Sequence, residues 1–299
     1  MSGPGPASAD ADRLAAHGRA VELYGQTWWH DDPGVAAIEQ RQSGLRDRLA
    51  TVAAVRGVTT AAVYLDAAGA YAPQRVALHD ELVRQSLPPP GTAVRTPPTV
   101  VYTTGGMGTG KSTTLRAIAW GWRRLRLGAG REGVVVAEAD AIREALHEYR
   151  GGLGSAVVQD EAFEVTYERL IPEAIDRRCD LVYDTIGVHD SIRPTLDRLL
   201  AAGYEVHMIV ATAPLDVCAA RVRDRALSRD GRLVDPVAQA SVAAAPQATL
   251  ERLLAENVPL TGWAVIDTAQ PDGLPRRLKS GGAWADIDND TLREMLDTG

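Results

Sequence analysis

Short apolar runs alternate with helically patterned segments along the chain after residue 98, and this alternation predicts the fold. The runs that predict strands lie at 100–103, 133–136, 181–183, 206–210 and 263–266. Segments with helical periodicity lie around 112–127, 160–178, 191–202, 214–228 and 236–255. Strands that alternate with helices pair in parallel, because each crossover returns the chain to the same end of the sheet. We therefore predict an α/β fold with a parallel five-stranded sheet flanked by helices and preceded by an α-helical N-terminal region.

The region before this alternation has a different pattern. Apolar residues recur at helical spacing from residue 11 to about residue 86, and a proline-rich connector follows. The last residues are acidic and polar, and one short helix is expected at their end. The predicted organisation is a disordered tail at 1–10, a helical N-terminal region at 11–90, a main domain at 97–278 and a C-terminal tail at 279–299.

The composition narrows the class of protein. Hydrophobic residues make up 45% of the chain, enough for an ordinary core, and the formal net charge is −7. An acidic balance disfavours contact with a phosphate backbone, so a nucleic-acid substrate is not expected. The two cysteines lack metal-type spacing, which favours a reduced, cytoplasmic protein. No apolar run approaches the ~18 residues of a membrane span, and the first residues lack a signal-peptide pattern.

A glycine-rich loop follows the first predicted strand and opens a helix. Gly105, Gly110, Lys111 and Ser112 fit the pattern G-x-x-x-x-G-K-[ST], which cradles the phosphates of a nucleoside triphosphate. Glycines let backbone N–H groups converge on phosphate, the lysine supplies a charge, and the serine hydroxyl is a Mg²⁺ ligand. We expect ATP or GTP with Mg²⁺. The residues predicted to bind the nucleotide are Gly105, Gly106, Met107, Gly108, Thr109, Gly110, Lys111, Ser112 and Thr113.

Acidic residues follow the second and third predicted strands. Ligands of such sheets collect at the carboxyl ends of the strands. Glu138 and Asp140 come after the second strand, where Asp140 is suited either to take a proton from an acceptor hydroxyl or to cap the next helix. Asp184 and Thr185 end the third strand. At this position Asp184 is a candidate ligand of Mg²⁺, together with Ser112. The alternative is an ordinary turn residue that faces solvent.

Arginines are concentrated between residues 215 and 236. Arg221 and Arg225 share a face of a predicted helix, and Arg232 follows in a loop. Such arginines neutralise charge that develops as a phosphoryl group moves, although a solvated charge run is the ordinary alternative. Glu173, on the helix between the second and third strands, is by itself an ordinary surface carboxylate.

Taken in order, these motifs resemble the zeta-toxin family of P-loop kinases over about 97–270. The resemblance rests on the phosphate loop, Val-x-x-x-Asp ending at Asp140, Pro-Glu-Ala-Ile at 172–175, the acidic end of the third strand and Gly-Arg at Arg232. It implies a kinase that phosphorylates the 3′-hydroxyl of a UDP-N-acetyl-hexosamine. Lys111 and Ser112 would bind phosphate and Mg²⁺, and Asp140 would be the base. The implied transition-state arginines are Arg221 and Arg232, with Glu173 holding the sugar.

The sequence departs from the family pattern on the acceptor side. Asp184-Thr185-Ile186 replaces Glu-Gly-Thr, and the arginine spacing is shorter, so that Arg223 or Arg225 is an alternative to Arg221. The expected acceptor-binding residues are Glu138, Glu173, Asp184, Thr185 and Arg225. A nucleotide sugar is the leading acceptor. One alternative is a kinase that acts on a nucleoside, a dinucleotide cofactor, an antibiotic or a polynucleotide end. The other is an ATP-dependent switch. An antitoxin-like inhibitor is a candidate protein partner.

Overall fold

The apolar runs form one six-stranded sheet in the order β2-β3-β1-β4-β5-β6. The strands are β1 Thr99–Gly105, β2 Val134–Ala137, β3 Asp180–Thr185, β4 Glu205–Thr212, β5 Gly262–Asp267 and β6 Arg276–Gly282. The first five are parallel to their neighbours, and β6 is antiparallel to β5. The prediction of an α/β fold with a parallel sheet and flanking helices is therefore confirmed, and the sheet carries one additional antiparallel strand.

The computed structural model describes residue 40 and residues 59–149, 155, 157–227, 234 and 236–299. The predicted tail at 1–10, most of the predicted helical region before residue 59, and Arg232 lie outside the described residues. Within the described ranges, no helix is both long and apolar enough to cross a lipid bilayer.

Helices cover both faces of the sheet. They are α1 Thr60–Tyr64, α2 Pro73–Ser86, α3 Arg116–Leu127, α4 Ala139–Ala145, α5 Gln159–Glu164, α6 Ile171–Asp176, α7 His189–Ala201, α8 Leu215–Leu227, α9 Pro236–Val242, α10 Ala245–Ala255 and α11 Asn289–Thr298. A π-helical turn at Lys111–Leu115 leads into α3, and a second at Val165–Leu170 joins α5 to α6. The predicted helix at 236–255 is divided, because Pro246 starts a new helix, α10.

Side chains alternate between the faces of the sheet, and each face carries its own apolar core. Tyr102 and Met208 belong to the core beneath α6, α7 and α10. Val101 and Ile209 belong to the opposite core, beneath α3 and α11. Because both faces are covered, the central strands are buried almost throughout rather than on one face only, as expected for a parallel sheet.

The C-terminal segment is packed, which differs from the polar tail predicted at 279–299. β6 crosses that boundary as an edge strand, and α11 packs on α3. Contact between the helices is close at Gly121, where a Cβ would lie 2.0 Å from the carbonyl oxygen of Met295. Trp284 is fully buried against Trp122, with ring centroids 5.5 Å apart. The short helix expected at the end of the chain is present as α11. β6 is a largely exposed strand with few apolar side chains, so its polar composition concealed it.

The described part of the N-terminal region is joined to the main domain by buried charges. Arg75 of α2 pairs with Glu161, at 2.5 Å, and with Glu148, at 3.1 Å. His79 lies 2.6 Å from Glu161, and Tyr64 donates to Glu148. Burial raises the pKa of Glu161, but hydrogen bonds from His79 and Arg75 outweigh it and bring the pKa down to about 2. We call these five residues the Arg75 cluster.

His207 generates a prediction about stability in acid. Its side chain is 1% exposed on β4 and accepts a hydrogen bond from Trp284 at Nδ1. Burial, together with the charge of Arg95, lowers its pKa from 6.5 to about 4. The unfolded chain therefore binds more protons than the folded protein between pH 6.5 and about 4, and the free energy of unfolding falls as the pH falls through that window.

We expect His207→Asn, which can still accept from Trp284 but does not titrate, to remove this dependence. From about pH 7 to about pH 4, the wild type should lose up to roughly 3 kcal/mol relative to the variant. Urea unfolding of both proteins at several pH values measures the difference. A difference that stays constant with pH would contradict the burial of a neutral imidazole.

Candidate active site

The loop between β1 and α3 has the backbone that its glycines predict. Gly108 has φ +82° and Gly110 has φ +85°, a conformation that side chains with Cβ rarely adopt. A Cβ on Gly108 would also lie 2.4 Å from the carbonyl oxygen of Cys218. Thr109 donates to the carbonyl of Gly106 at 2.8 Å, and the Lys111 ammonium donates to the same oxygen at 3.2 Å. The loop is thus organised by its own residues.

The surroundings of the loop hold it against α8, α9 and the segment that follows β5. Gln239 donates to the carbonyl of Met107 at 2.9 Å. A Cβ on Gly106 would lie 3.3 Å from Cα of Ala243. Thr113, in the π-helical turn, donates to the carbonyl of Gly110 at 3.3 Å. The free N–H groups of this turn and the positive end of the helix dipole favour an anion in the loop.

The parallel register brings the ends of β1, β2 and β3 to one edge of the sheet. Thr103 pairs with Asp184, and Ala137, just before Glu138, pairs with Tyr183. As a result, the hydroxyl of Ser112 donates at 3.2 Å to Glu138 Oε1 and at 3.2 Å to Asp184 Oδ2. We call Glu138 and Asp184 the carboxylate pair.

A residue that the sequence analysis did not select, Arg116, also contacts the carboxylate pair. Its Nη2 atom lies 2.6 Å from Glu138 and 3.3 Å from Asp184. The signal was present, because Arg116 follows Ser112 by four residues and lies on the same side of the helix. Burial raises the pKa of Asp184 to about 6, the charge of Lys111 opposes the shift, and that of Glu138 adds to it.

The carboxylate pair and Ser112 fit a hard divalent cation. One hydroxyl and two carboxylates are oxygen ligands of the kind that Mg²⁺ prefers. No group of three or more His, Cys, Asp and Glu side chains suited to a metal occurs in the part of the chain that the structure describes. A Mg²⁺ ion at this position would therefore take further ligands from phosphate and water, which is its usual behaviour at nucleotide sites.

Asp140 lies in the first turn of α4, two residues after Glu138, which occupies the N-cap position. Arg143 donates to Asp140 Oδ1 at 2.7 Å. The Arg143 side chain is only 6% exposed, whereas that of Asp140 is 29% exposed. The guanidinium of Arg143 lies over the ring of Phe163, at 5.1 Å. Asp140 is thus held by a buried arginine and open to the solvent.

Tyr167 was also missed by the sequence analysis. The pKa of Tyr167 is raised, mainly because the side chain is buried. The side chain of Thr185 and the charge of Arg143 oppose this shift, whereas the charges of Asp184 and Asp140 add to it. These interactions place its hydroxyl near the ends of β2 and β3. Tyr167 lies in the π-helical turn at Val165–Leu170, a local departure from α-helix that periodicity does not reveal.

The predicted arginines occupy different positions. Arg221 donates to the carbonyls of Gly108, at 3.3 Å, and Thr268, at 2.7 Å. Thr268 in turn donates to the carbonyl of Thr109 at 2.6 Å. Arg221 is therefore at the outer rim of the phosphate loop. Arg225 lies one turn further along α8, and Arg232 is outside the described residues.

Glu173 lies apart from these side chains. It accepts from Arg177 at 2.8 Å and lines a groove between α2 and α6 together with Val83 and Pro172. Glu173 follows Tyr167 by six residues, about 9 Å along a helix. Since α6 leads into the amino end of β3, the helix carries Glu173 away from the edge where the phosphate loop lies.

The sequence matches a family model, and the fold matches solved structures. The family model described as Zeta toxin matches residues 90–270. No curated protein matches the sequence. A structure from the PezAT chromosomal toxin-antitoxin system of Streptococcus pneumoniae is similar, with TM-score 0.52 and 16% identity, covering 76% of this chain and 89% of that chain.

The complex of AvrRxo1-ORF1 and AvrRxo1-ORF2 with sulphate ions is also similar, with TM-score 0.54, 20% identity and coverage of 76% of this chain and 73% of that one. The same pair with ATP gives TM-score 0.52 at 20% identity, covering 76% of this chain and 74% of that one. At these identities the structures establish a shared fold. The family model matches more than half of the sequence, and the chain belongs to the zeta toxin family.

Proposed function

We propose that this protein is a P-loop kinase that transfers the γ-phosphoryl group of ATP or GTP to a hydroxyl of a nucleotide sugar, with the 3′-hydroxyl of UDP-N-acetylglucosamine as the acceptor. One observation carries the proposal. The hydrogen bond between Ser112 and Glu138 ties the start of α4 to the phosphate loop. Asp140, two residues after Glu138, is therefore close to where the loop would hold the end of a triphosphate.

On the donor side, the residues of the loop bind and orient the phosphates. Backbone N–H groups of 105–113 face the anion, and the Lys111 ammonium adds a positive charge. Ser112 and the carboxylate pair would hold Mg²⁺, which neutralises charge on the phosphate oxygens when bound. Arg221, at the rim of the loop, adds a further positive charge beside the donor. The ATP complex of a similar structure supports ATP as the donor.

On the acceptor side, Asp140 is the candidate base. Its carboxylate takes the proton of the attacking hydroxyl as the phosphoryl group is transferred. Arg143 fixes the orientation of that carboxylate through the 2.7 Å contact, and the 29% exposure of Asp140 leaves it accessible to an acceptor. Because the buried Arg143 restricts the rotamer of Asp140, less conformational entropy is lost when the carboxylate reaches the reactive geometry.

The hydroxyls of Thr185 and Tyr167 are candidates to bind the acceptor. The side chain of Thr185 and the charges of Asp140 and Asp184 all act on the Tyr167 hydroxyl. Neighbouring hydroxyls suit a sugar, which both donates and accepts hydrogen bonds. In this proposal Glu138 binds metal rather than acceptor, and Glu173 takes no part. Arg225 keeps its proposed place near the acceptor, one turn beyond Arg221.

Because the PezAT structure comes from a toxin-antitoxin system, we also propose an antitoxin-like inhibitor as a protein partner.

The conformation of the loop leads to a prediction about donor binding. Gly108→Ala puts a Cβ against Cys218 at a residue with φ +82°, so the loop must shift. We expect ATP to bind at least about tenfold more weakly, which is about 1.4 kcal/mol. Isothermal titration calorimetry measures the affinity.

Gly128→Ala is the matched control for Gly108→Ala. Gly128 also has positive φ, +59°, but a Cβ there meets nothing within 4 Å. The control should lose up to about 1 kcal/mol of stability and keep its affinity for ATP. Equal affinity of the two variants would contradict the assignment of the loop.

The proposed base leads to a prediction about phosphoryl transfer. Asp140→Asn keeps the size of the side chain but cannot take a proton, so we expect at least a ~100-fold loss of transfer with little change in ATP affinity. The measurement is mass spectrometry of UDP-N-acetylglucosamine incubated with protein, ATP and Mg²⁺, which should gain one phosphoryl group.

Asp290→Asn is the control, since Asp290 makes the same i,i+3 contact with an arginine, at 2.9 Å, on the surface of α11. It should phosphorylate the sugar as the wild type does. Full activity in Asp140→Asn would refute the base, and no phosphorylated sugar with the wild type would refute the acceptor.

A further inference from the structure

Arg116 contacts the carboxylate pair through one atom, Nη2. The side chains of Asp184, Glu138 and Arg116 are 5%, 15% and 24% exposed, so both contacts are partly shielded from water. An arginine–carboxylate pair on the surface of α3 is different in kind. Arg126 pairs with one carboxylate, Asp286, and both of those side chains are well exposed. A shielded guanidinium between two carboxylates interacts far more strongly than an exposed pair.

The oxygens that Arg116 contacts are the same ones that Ser112 contacts. Glu138 Oε1 accepts from Ser112 and lies 2.6 Å from Arg116. Asp184 Oδ2 likewise accepts from both, at 3.2 Å from Ser112 and 3.3 Å from Arg116. A Mg²⁺ ion bound through Ser112 needs these oxygens at about 2 Å. A guanidinium and a metal ion are both positively charged and repel each other, so they cannot both contact these two oxygens. They therefore compete for them.

The total charge of the site determines when a metal ion can displace Arg116 from the carboxylate pair. Glu138 and Asp184 carry two negative charges, and Arg116 and Lys111 already balance them. A divalent ion added without a nucleotide would leave a net positive charge at the site. A bound triphosphate adds several negative charges beside Ser112, so that the metal and the arginine are then both compensated.

We propose that Arg116 is a built-in competitor for the metal site: it weakens the binding of a divalent cation to the protein alone, so that the cation binds together with the nucleotide. This inference rests on the proposed function through the metal site, but it assigns to Arg116 a role that kinase activity does not require. An arginine here thereby makes metal and nucleotide binding cooperative.

The test measures the binding of Mn²⁺, as a probe for Mg²⁺, by electron paramagnetic resonance of free Mn²⁺. Without nucleotide, Arg116→Gln should bind Mn²⁺ at least about tenfold more tightly than the wild type, and Arg126→Gln should bind it as the wild type does. With the non-hydrolysable analogue AMP-PNP bound, the advantage of Arg116→Gln should shrink to less than about threefold. Arg116→Lys, which keeps the charge, should resemble the wild type.

The outcomes separate this inference from the proposed function. If the wild type retains Mn²⁺ with AMP-PNP, but Arg116→Gln binds nucleotide-free Mn²⁺ no better than the wild type, the role of Arg116 is refuted and the metal site stands. If the wild type retains no Mn²⁺ with AMP-PNP, both are refuted. Circular dichroism checks folding. Arg116→Met, which keeps the apolar stem and removes the charge, replaces the glutamine variant if that variant does not fold, and the same tenfold gain is expected of it.

Discussion

The contact between Ser112 and two carboxylates from neighbouring strands is the constraint on which the site depends. It exists because β2, β3 and β1 run parallel in fixed register, so that the residue after each strand emerges at the same edge. A carboxylate pair this close and this shielded is unfavourable by itself, and it needs a cation. Lys111, Arg116 and a metal ion are the positive charges that this edge of the sheet can receive.

Support for this edge comes from elements distant in sequence. α11 packs on α3, the helix that follows the phosphate loop, and Thr268 after β5 is bonded to the loop itself. Arg143, packed on Phe163 of α5, fixes the carboxylate of Asp140 from the other side. The loop and the proposed base are therefore each held by packing on a rigid element, which is what precise positioning of reacting groups requires.

The parts that the sequence predicts are those in which local signals determine structure. The five parallel strands follow from apolar runs, and the positive φ angles of Gly108 and Gly110 follow from the motif. Arg116 and Tyr167 were missed because their importance lies in partners far along the chain, and a π-helical turn shifts the face on which Tyr167 lies. Glu173 was selected by a short motif that does not determine which end of a helix faces the site. β6 was hidden by its polar surface, although Trp284, which follows it, is fully buried.

The Arg75 cluster has a consequence for where this protein can be divided. The sequence shared with its family starts at residue 90, yet α2 supplies the arginine that compensates Glu148 and Glu161 from outside that stretch. A fragment beginning at residue 90 would keep the whole phosphate loop but would leave two shielded carboxylates without their guanidinium. Leaving a buried charge uncompensated costs about 3–5 kcal/mol, a large share of the stability of an ordinary domain. The minimal unit that folds on its own is therefore longer than the stretch that matches the family model, and α2 is a structural part of it.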